Sequence, residues 1–343
     1  MNVLIINGSP KGKKSNTYKL AKSFVAGLEN ASQGTMVLNE LTLSEMELNH
    51  CIGCFACWTE TPGECVIKDD MGIVIENLIW ADIVVWSFPL YAFGVPSLLK
   101  IVLDRKLPMN LPLMLSSAGA GGMNSRYDMS NKKMIIISTC GFWTTQGNYT
   151  AVSIQFGRLF GTENCERIFC SQGELFSFPE LASRTNNFLD LIKKAGGEYA
   201  VGGISRETRE KLNTPLFSKE EYEKMANVNW GVDQNTNTAI DKALVLTTRV
   251  SALYDKTSYT GQDVVLELEY TDINKKYQLL LKSDGCQVIE NDFLDYTTRI
   301  QVDFDNWQNI MYGKYSIEEA CSKQLCTVSG EKDLAIKWSN YFN

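Results

Sequence analysis

Histidine is almost absent from this sequence, which has only His50 among its 343 residues. One imidazole cannot supply the histidine-rich ligand sets of most metallohydrolases, and it argues against a Ser–His–Asp catalytic triad. Long apolar runs are also absent. The best candidate, residues 73–86, contains Glu76, Asn77 and Asp82, whereas a membrane-spanning helix needs roughly 20 apolar residues. We therefore expect no membrane span.

The sequence also lacks an excess of basic residues and two common nucleotide-binding motifs. Its formal net charge of −7 argues against nucleic acid or an anionic membrane surface as a partner. The pattern G-x-x-x-x-G-K-[ST] is missing, which argues against a nucleoside triphosphatase. The missing G-x-G-x-x-G argues against a dinucleotide-binding Rossmann turn. No basic flank or cleavage site precedes the first apolar run, so we expect a cytoplasmic protein.

The start of the chain carries the pattern of a strand, a turn and a helix. Residues 3–6 form an uninterrupted apolar run, typical of a strand buried on both faces of a parallel sheet. Residues 18–28 have apolar positions at helical spacing. Between them lie a lysine and several hydroxyl or amide side chains, Lys11, Ser15, Asn16 and Thr17. The turn is either an ordinary helix cap or, as its density of hydroxyls favours, a site for the phosphate of a mononucleotide.

Strands alternate with helices over residues 1–195, which predicts an α/β fold with a doubly wound, five-stranded parallel sheet. Ligands of such sheets bind outside the carboxyl ends of the strands. Three irregular loops follow predicted strands and should meet at that edge, residues 8–17, 89–94 and 139–143. Residues 107–132 predict a long loop, a candidate lid. The glycines between 196 and 203 are expected to end the helical pattern.

The pattern of the sequence changes after residue 195. Residues 196–235 predict a charged, mostly helical connector. Residues 236–343 show short alternating runs joined by turn signals, with helical segments after them. This pattern predicts a smaller α+β domain with an antiparallel sheet. We therefore divide the chain into domains at 1–195 and 236–343, joined by the connector.

Four of the ten cysteines lie close together, at Cys51, Cys54, Cys57 and Cys65. Their spacing is C-x2-C-x2-C-x7-C. Such crowding indicates metal or redox chemistry in a chain of this length. The alternative is a set of structural thiols, because Trp58 and the residues around Pro62 could simply fold the loop onto a neighbour.

Several motifs, in order along the chain, resemble one known family. They are GSPKGKKSNT, the cysteine loop ending in KDDM, SFPLYAFGVPSLLKIVLDR and STCGF. Over residues 1–230 the sequence resembles the flavodoxin-like NAD(P)H-dependent FMN reductases, a group that includes the iron–sulfur flavoproteins. The resemblance implies a flavodoxin-like fold, FMN as cofactor and NAD(P)H as co-substrate. It implies no catalytic side chain, since the flavin performs the chemistry.

The resemblance also assigns roles to individual residues. The residues expected to hold the FMN phosphate are Ser9, Lys11, Ser15, Asn16 and Thr17. Those expected to border the isoalloxazine are Pro89, Leu90, Tyr91, Phe93 and Gly94. Those expected to close the third side are Thr139, Cys140, Gly141 and Phe142. By the same resemblance the four clustered cysteines would hold a [4Fe–4S] centre, with structural or redox-active thiols as the alternative. Tyr91 and Phe93 could instead be ordinary core aromatics.

Residues 240–343 are similar to the sterol carrier protein type domain. The likeness rests on residues 264–270 and 297–302, on the run from Trp307 to Ser316, and on residues 328–331. In that fold an apolar tunnel takes lipid-like ligands. The side chains that could line one are Leu266, Leu268, Leu279, Ile300, Val302 and Trp307. The alternative is that they fill a core or meet a partner subunit.

Three functions are compatible with these patterns. The first is an oxidoreductase that passes electrons from NAD(P)H through FMN to a quinone, a free flavin, a disulfide or an iron–sulfur acceptor. The second is an electron-transfer carrier that holds FMN, with or without a cluster, and serves a partner protein. The third is a lipid-binding protein with a flavin domain as redox sensor. The resemblance further implies a homodimer or higher homo-oligomer.

Overall fold

Strand β1 (Asn2–Asn7) lies inside a five-stranded sheet in which every neighbouring pair is parallel. The sheet order across the described residues is β2 (Val37–Thr42), β1, β3 (Ile83–Pro89), β6 (Lys133–Thr139) and β7 (Cys165–Cys170). Val3 to Ile6 have no exposed surface, because both faces of this sheet are covered by helices. The predicted flavodoxin-like, doubly wound parallel sheet is confirmed.

The structure is a computed structural model, and it describes residues 1–32, 34, 36–114, 123–231 and 240–342. Two compact units are present: residues 1–174 with 187–215, and residues 175–186 with 216–343. The helices of the first part of the chain are α1 (Asn16–Ala31), α2 (Ala56–Thr59), α3 (Met71–Trp80), α4 (Ser97–Arg105), α5 (Thr150–Phe160), α6 (Ala182–Ala200) and α7 (Arg206–Leu212). The domain limits at 195 and 235 remain a prediction. The residues assigned to a connector contain the end of α6, then α7 and α8 (Lys219–Trp230).

The loop predicted over residues 107–132 is not entirely irregular. It contains a two-stranded antiparallel sheet of β4 (Asn110–Met114) and β5 (Met123–Ser125). The proline at position 112 lies where the register of this pair is irregular, between Asn110 and Met114, and proline is tolerated at such irregularities. Residues 115–122, the centre of the candidate lid, lie outside the described residues.

The expectation that glycines end the helical pattern after residue 195 is wrong, because α6 runs through Gly196 to Ala200. The reason is a close helix crossing. A Cβ on Gly196 would lie 1.9 Å from the carbonyl oxygen of Phe24, and a Cβ on Gly27 would lie 1.9 Å from that of Lys193. These glycines let α1 and α6 approach backbone to backbone, which the sequence pattern alone does not distinguish from a helix end.

The second unit contains a sheet of order β10 (Gly285–Ile289), β9 (Lys275–Lys282), β8 (Val264–Tyr270), β11 (Thr298–Val302) and β12 (Cys326–Gly330). Three pairs are antiparallel, as expected, but β8 and β11 are parallel. The sheet is therefore mixed. After β10, at one edge of the sheet, the chain crosses over to form β11 on the other side of β8. The alternating apolar pattern of the sequence does not indicate this crossover connection.

Helices α9 (Lys242–Ser251), α10 (Phe304–Met311), α11 (Ile317–Ser322) and α12 (Lys332–Ile336) complete the second unit, so its smaller α+β architecture is confirmed. The six residues considered for a lipid tunnel are all buried members of its core, Leu266, Leu268, Leu279, Ile300, Val302 and Trp307. Burial is expected both of a tunnel wall and of a packed core, so both alternatives stay predictions. The sterol carrier likeness stays a prediction. In the part of the chain that is described, no helix has the length and apolar character to cross a membrane.

The glycine crossing leads to a stability prediction. Gly196→Ala is expected to lower the free energy of unfolding by at least about 2 kcal/mol, since α1 and α6 must separate to admit the methyl group. Gly72→Ala is the matched control, because a Cβ at this position in α3 meets nothing within 4 Å. It should be neutral or stabilise the fold by up to about 1 kcal/mol. Urea unfolding followed by circular dichroism measures both, and equal midpoints for the two variants would contradict the close approach.

Candidate functional site

The loops that follow four parallel strands line one cleft of about 160 Å³. Its lining residues are Ser9, Lys11, Ser15, Asn16, Thr17, Pro89, Leu90, Tyr91, Thr139, Cys140, Gly141, Gly173 and Glu174. They come from the ends of β1, β3, β6 and β7, because parallel strands all present their carboxyl ends at the same edge. Eleven of the fourteen residues assigned to a cofactor from sequence are among them.

The turn after β1 is held by hydrogen bonds that leave the start of α1 facing the cleft. The N–H of Gly8 donates to the carbonyl of Ser87 at 2.8 Å, and the side-chain oxygen of Asn7 accepts from the N–H of Ser9 at 3.2 Å. Ser15 occupies the N-cap position of α1, but its side chain makes no capping hydrogen bond. An ordinary helix cap would use that hydroxyl, so this geometry favours the anion-site alternative.

The charge beside the N-terminus of α1 is positive. Lys11 is exposed, and among the described residues it forms no ion pair. The helix dipole of α1 adds partial positive charge where the chain enters the helix. Lys13, two residues on, contrasts with Lys11, because its Nζ lies 3.9 Å from Glu45 and it is not part of the lining.

Two side chains of the first turn of α1 contact the end of β6 and the loop after β7. The hydroxyls of Thr17 and Thr139 are 2.5 Å apart, and Asn16 Nδ2 donates to the carbonyl of Gly173 at 2.9 Å. A Cβ on Gly173 would lie 2.6 Å from that of Thr139. The loop after β7 can therefore approach β6 only because glycine stands there.

Gly173 and Glu174 are cleft residues that the sequence reasoning missed. They follow β7, the last strand of the sheet, and the rule that ligands bind at carboxyl ends applied to that loop as well. Glu174 lies near Gly141, since a Cβ on Gly141 would be 3.6 Å from Glu174 Oε2. The cleft is thus lined by one lysine, Lys11, and one carboxylate, Glu174.

Three aromatic side chains from the loops after β3 and β6 are exposed, Tyr91 at 47%, Phe93 at 52% and Phe142 at 42%. Tyr91 and Phe93 are therefore not core aromatics. Phe93 and Phe142 stack on each other, with ring centroids 5.5 Å apart and an interplanar angle of 8°. Phe93, Gly94 and Phe142 are the three assigned residues that do not line the cleft.

The turn that carries Tyr91 has an unusual backbone. Ala92 and Phe93 have φ values of 47° and 62°, in the left-handed region that costs free energy for residues with a side chain. Mutual backbone hydrogen bonds between Tyr91 and Gly94, at 3.0 and 2.9 Å, hold this conformation. The strain keeps an aromatic turn pointing into solvent next to the cleft.

Among the described residues that line the cleft, Cys140 is the one thiol, and it is 4% exposed. Burial raises its pKa, and the negative charge of Glu174 adds to the increase. A thiol with a raised pKa stays protonated at neutral pH and is a poor nucleophile. The cleft is accordingly suited to binding rather than to covalent catalysis by this side chain.

The four clustered cysteines border a second, much smaller pocket of about 30 Å³. Cys51 and Cys54 are exposed, Cys65 is half-buried and Cys57 is buried, where burial and the neighbouring thiols raise its pKa. Across the described residues, which include this whole loop, no three His, Cys, Asp or Glu side chains are grouped so as to hold a metal ion. The four thiols share a pocket without converging as a ligand set.

A buried ion pair anchors this cysteine loop. Arg105 Nη2 donates to Cys65 Sγ at 3.2 Å, and Nη1 donates to the Asn49 carbonyl at 3.1 Å and to the carboxylate of Asp69. The side chains of Arg105 and Asp69 are at most 1% exposed. Burial alone would raise the pKa of Asp69, but donors from Arg105, Asn49 and Met71 outweigh it and lower that pKa to about 2.

The fold and the cleft together define a flavodoxin-like protein in which the loops after four parallel strands line one cleft. A family model described as having a flavodoxin-like fold matches residues 1–158. An FMN-dependent NADH:quinone oxidoreductase of Bradyrhizobium is 30% identical over 145 residues, which cover 41% of this chain and 69% of that protein. The chain belongs to this flavodoxin-like family of FMN-dependent oxidoreductases and iron–sulfur flavoproteins.

Other proteins are similar over different shares of the chain. An iron–sulfur flavoprotein of Methanocaldococcus jannaschii is 30% identical over 123 residues, which cover 36% of this chain and 61% of that protein. For two further iron–sulfur flavoproteins, the chain spans 46% and 32% of their length. The crystal structure of an FMN-dependent NADH-azoreductase from Bacillus anthracis, in complex with FMN, covers 58% of this chain and 100% of that one at 16% identity, with a TM-score of 0.42.

The buried ion pair leads to a prediction about pH. Asp69→Asn is expected to lower the free energy of unfolding at pH 7 by about 3 kcal/mol, because Arg105 is left buried without a counter-charge. The pKa of Asp69 is about 2 in the folded chain and about 3.9 when unfolded. Its contribution is therefore full above the unfolded pKa and is lost as pH falls through the folded pKa.

Urea unfolding of both proteins between pH 7 and pH 2.5 measures this, and the difference between them should shrink below about pH 4. Asp104→Asn is the matched control, since Asp104 pairs with Lys100 on the surface with both side chains about half exposed. We expect that variant to change stability by less than about 1 kcal/mol at every pH. A constant difference for Asp69→Asn over the whole range would contradict the assignment.

Proposed function

We propose that the cleft binds FMN and that the chain is an oxidoreductase taking electrons from NAD(P)H. One observation carries the proposal. Ser15 stands at the N-cap of α1 without capping it, inside a cleft that also contains Lys11, Ser9 and Thr17. Hydroxyl groups, a lysine and a helix N-terminus are the donors that a phosphate monoester requires. The family's FMN-dependent relatives support the same cofactor.

The charged residues of the cleft bear on where the phosphate of FMN would bind. Lys11 attracts the phosphate and the carboxylate of Glu174 repels it, so we expect the phosphate beside Lys11. Leu90, Cys140 and Gly141 also line the cleft and provide backbone groups and a short apolar wall. The N–H of Leu90 donates to the carbonyl of Thr139 at 2.8 Å, which fixes the two loops relative to each other.

The chain has little need of an acid or base of its own. FMN, when bound, supplies the centre that accepts a hydride and releases electrons. The residues of the cleft hold the phosphate, orient the ring and keep a protonated thiol beside it. His50, the only histidine of the chain, is not among the residues that line the cleft.

We further propose a flat aromatic acceptor, such as a quinone. Phe93 and Phe142 are exposed and stacked beside residues that line the cleft, and aromatic faces at this edge favour a planar partner. The same exposed rim supports the predicted homo-oligomer, since exposed aromatic groups often mark contacts between subunits. Cytoplasmic location remains a prediction.

The cysteine loop supports a second cofactor as a separate proposal. Four thiols border one pocket, beside the guanidinium of Arg105, and thiolates near a buried cation are the ligand type that an iron–sulfur centre uses. As they stand the thiols do not converge, so ordering of this loop around iron would have to accompany binding. No electron-transfer step is inferred through it.

An absorbance spectrum of the full chain, purified without oxygen, tests both proposals. We expect flavin bands that bleach when NADH or NADPH is added and return when 1,4-benzoquinone follows. A broad absorbance in the blue-violet, together with bound iron and acid-labile sulfide, is expected only if the cysteine loop holds a cluster. A colourless protein that FMN cannot reconstitute would contradict the proposed function. Slow NAD(P)H oxidation with fast exchange with a ferredoxin would show a carrier instead.

A pair of lysine variants tests where the phosphate binds. Lys11→Gln should raise the dissociation constant for FMN by about five- to tenfold, because it removes one charge facing the phosphate. The same variant should leave the affinity for riboflavin, which has no phosphate, unchanged. Lys13→Gln, which removes a lysine of the same turn outside the lining, should change neither. Titration of the apoprotein by flavin fluorescence measures all four values, and equal loss of both flavins would place the phosphate elsewhere.

A further inference from the structure

Two of the ten cysteines lie side by side in the second unit, at Cys321 and Cys326. Cys321 lies in the last turn of α11, and Cys326 is the first residue of β12. Their Sγ atoms are 3.2 Å apart. A disulfide joins its sulfurs at about 2.05 Å, so a movement of about 1 Å brings this pair to bonding distance. It is the one hydrogen-bonded pair of thiols among the described residues.

The turn between α11 and β12 holds the two thiols in this position. The N–H of Leu325 donates to the carbonyl of Ala320 at 2.9 Å, and the N–H of Gln324 donates to that of Cys321 at 3.0 Å. These two bonds form the Schellman motif, which ends many helices. Gln324 has the left-handed backbone that this motif requires, with φ at 56°. Because the turn is fixed by its own hydrogen bonds, the chain returns to the side of α11 at Cys326.

The two thiols differ in how easily they react. Cys326 is 5% exposed, and burial together with the neighbouring Cys321 raises its pKa to about 12. It therefore stays protonated at neutral pH and is a poor first nucleophile. Cys321 is half-buried, so a reagent in solution can reach its sulfur. A reaction with such a reagent begins at Cys321, with Cys326 held next to the product.

Two other roles for this pair are a metal site and simple packing. A structural zinc site uses four ligands, and among the described residues no third His, Cys, Asp or Glu side chain joins these thiols to hold a metal ion. Packing as two small apolar side chains is the remaining alternative. It predicts no reaction between the two sulfurs, which an experiment can decide.

We propose that Cys321 and Cys326 form a thiol–disulfide exchange site whose substrate is a low-molecular-weight disulfide. Cys321 loses its proton to water and attacks one sulfur of the substrate, which breaks the S–S bond of the substrate and releases one thiolate. Cys326 then loses its proton, attacks Cys321 Sγ in the mixed disulfide and releases the second thiolate. The chain gives up two electrons and two protons, and the substrate takes up both as two thiols.

This site is separate from the proposed flavin chemistry. Neither cysteine lines the cleft of the first unit, and the electrons come from the two thiols alone. An added thiol reductant returns the pair to its reduced form by the same exchange in reverse. The proposal therefore holds whether or not the cleft binds FMN.

Peptide mapping of the unmodified full chain tests the proposal. The chain is equilibrated with oxidised glutathione, its remaining thiols are blocked with iodoacetamide, and it is digested with trypsin. Cleavage after Lys323 places the two cysteines in separate peptides, residues 315–323 and 324–332, which only a disulfide can hold together. We expect this linked pair after oxidation and its loss after treatment with dithiothreitol. Absence of the linked pair, with Cys321 either free or carrying glutathione, would overturn the proposal.

Two cysteine variants test the order of attack. In Cys326→Ser, the glutathione adduct at Cys321 should accumulate at least about tenfold more than in the unmodified chain, because no second thiol releases it. In Cys321→Ser, the buried Cys326 should stay free. Equal amounts of adduct in Cys326→Ser and in the unmodified chain would refute the role of Cys326.

Cys286→Ser is the matched control. Cys286 is another half-buried thiol of the second unit, and among the described residues it has no hydrogen-bonded thiol beside it. This variant should form the linked pair of peptides to the same extent as the unmodified chain. If either of the other two variants does not fold, the peptide map of the unmodified chain decides alone.

Discussion

The common direction of the five strands in the first sheet is the constraint on which the candidate site depends. Because β1, β3, β6 and β7 all run the same way, their carboxyl ends meet at one edge, and each loop that leaves them starts there. The hydrogen bond between Thr17 and Thr139 then ties the first helix to the end of β6. Reversing any one of these strands would remove a wall of the cleft.

Both units of this chain contain an arginine and a carboxylate that are buried together, yet the two pairs differ in how completely they are satisfied. The carboxylate of Asp69 accepts from Arg105 and from the N–H groups of Asn49 and Met71, which accounts for its low pKa. Oε1 of Glu180 accepts a hydrogen bond from Arg249, whereas its Oε2 has no hydrogen-bond partner. The first arrangement is typical of a structural anchor, since every strong acceptor is used. In the second arrangement one buried carboxylate oxygen has no hydrogen-bond donor. Buried acceptors of this kind are commonly satisfied by a ligand or a bound water.

Much of the architecture was predictable because it depends on local patterns. The helical spacing of residues 18–28 is confirmed by α1, which runs from Asn16 to Ala31, since apolar spacing acts within a few residues. Helix α9 and the parallel pairing of β8 with β11 were not predicted. Chain direction and order in a sheet depend on which distant strands meet, and the run of apolar residues is the same in either case.

The glycines near the end of α6 show why a local pattern can mislead. Two adjacent glycines usually indicate a helix end, because glycine costs a helix about 1 kcal/mol relative to alanine. In this chain that cost is offset by close packing, since the carbonyl of Phe24 occupies the space that a side chain at Gly196 would need. Nothing within several residues of position 196 carries this information, which lies in another helix 172 residues earlier.

Local sequence patterns and contacts between distant segments also contribute differently to the recognition of a site. A serine before a helix indicates an N-cap, and Ser15 is one, but only the folded chain shows that its hydroxyl does not cap. Glu180 stands in an ordinary Pro-Glu-Leu turn, and only the folded chain shows that one of its oxygens lacks a donor. A binding site is recognised by the polar atoms that the protein itself leaves unsatisfied. Finding them requires every donor and acceptor to be paired in three dimensions, because the groups that satisfy one another come from segments far apart in the chain.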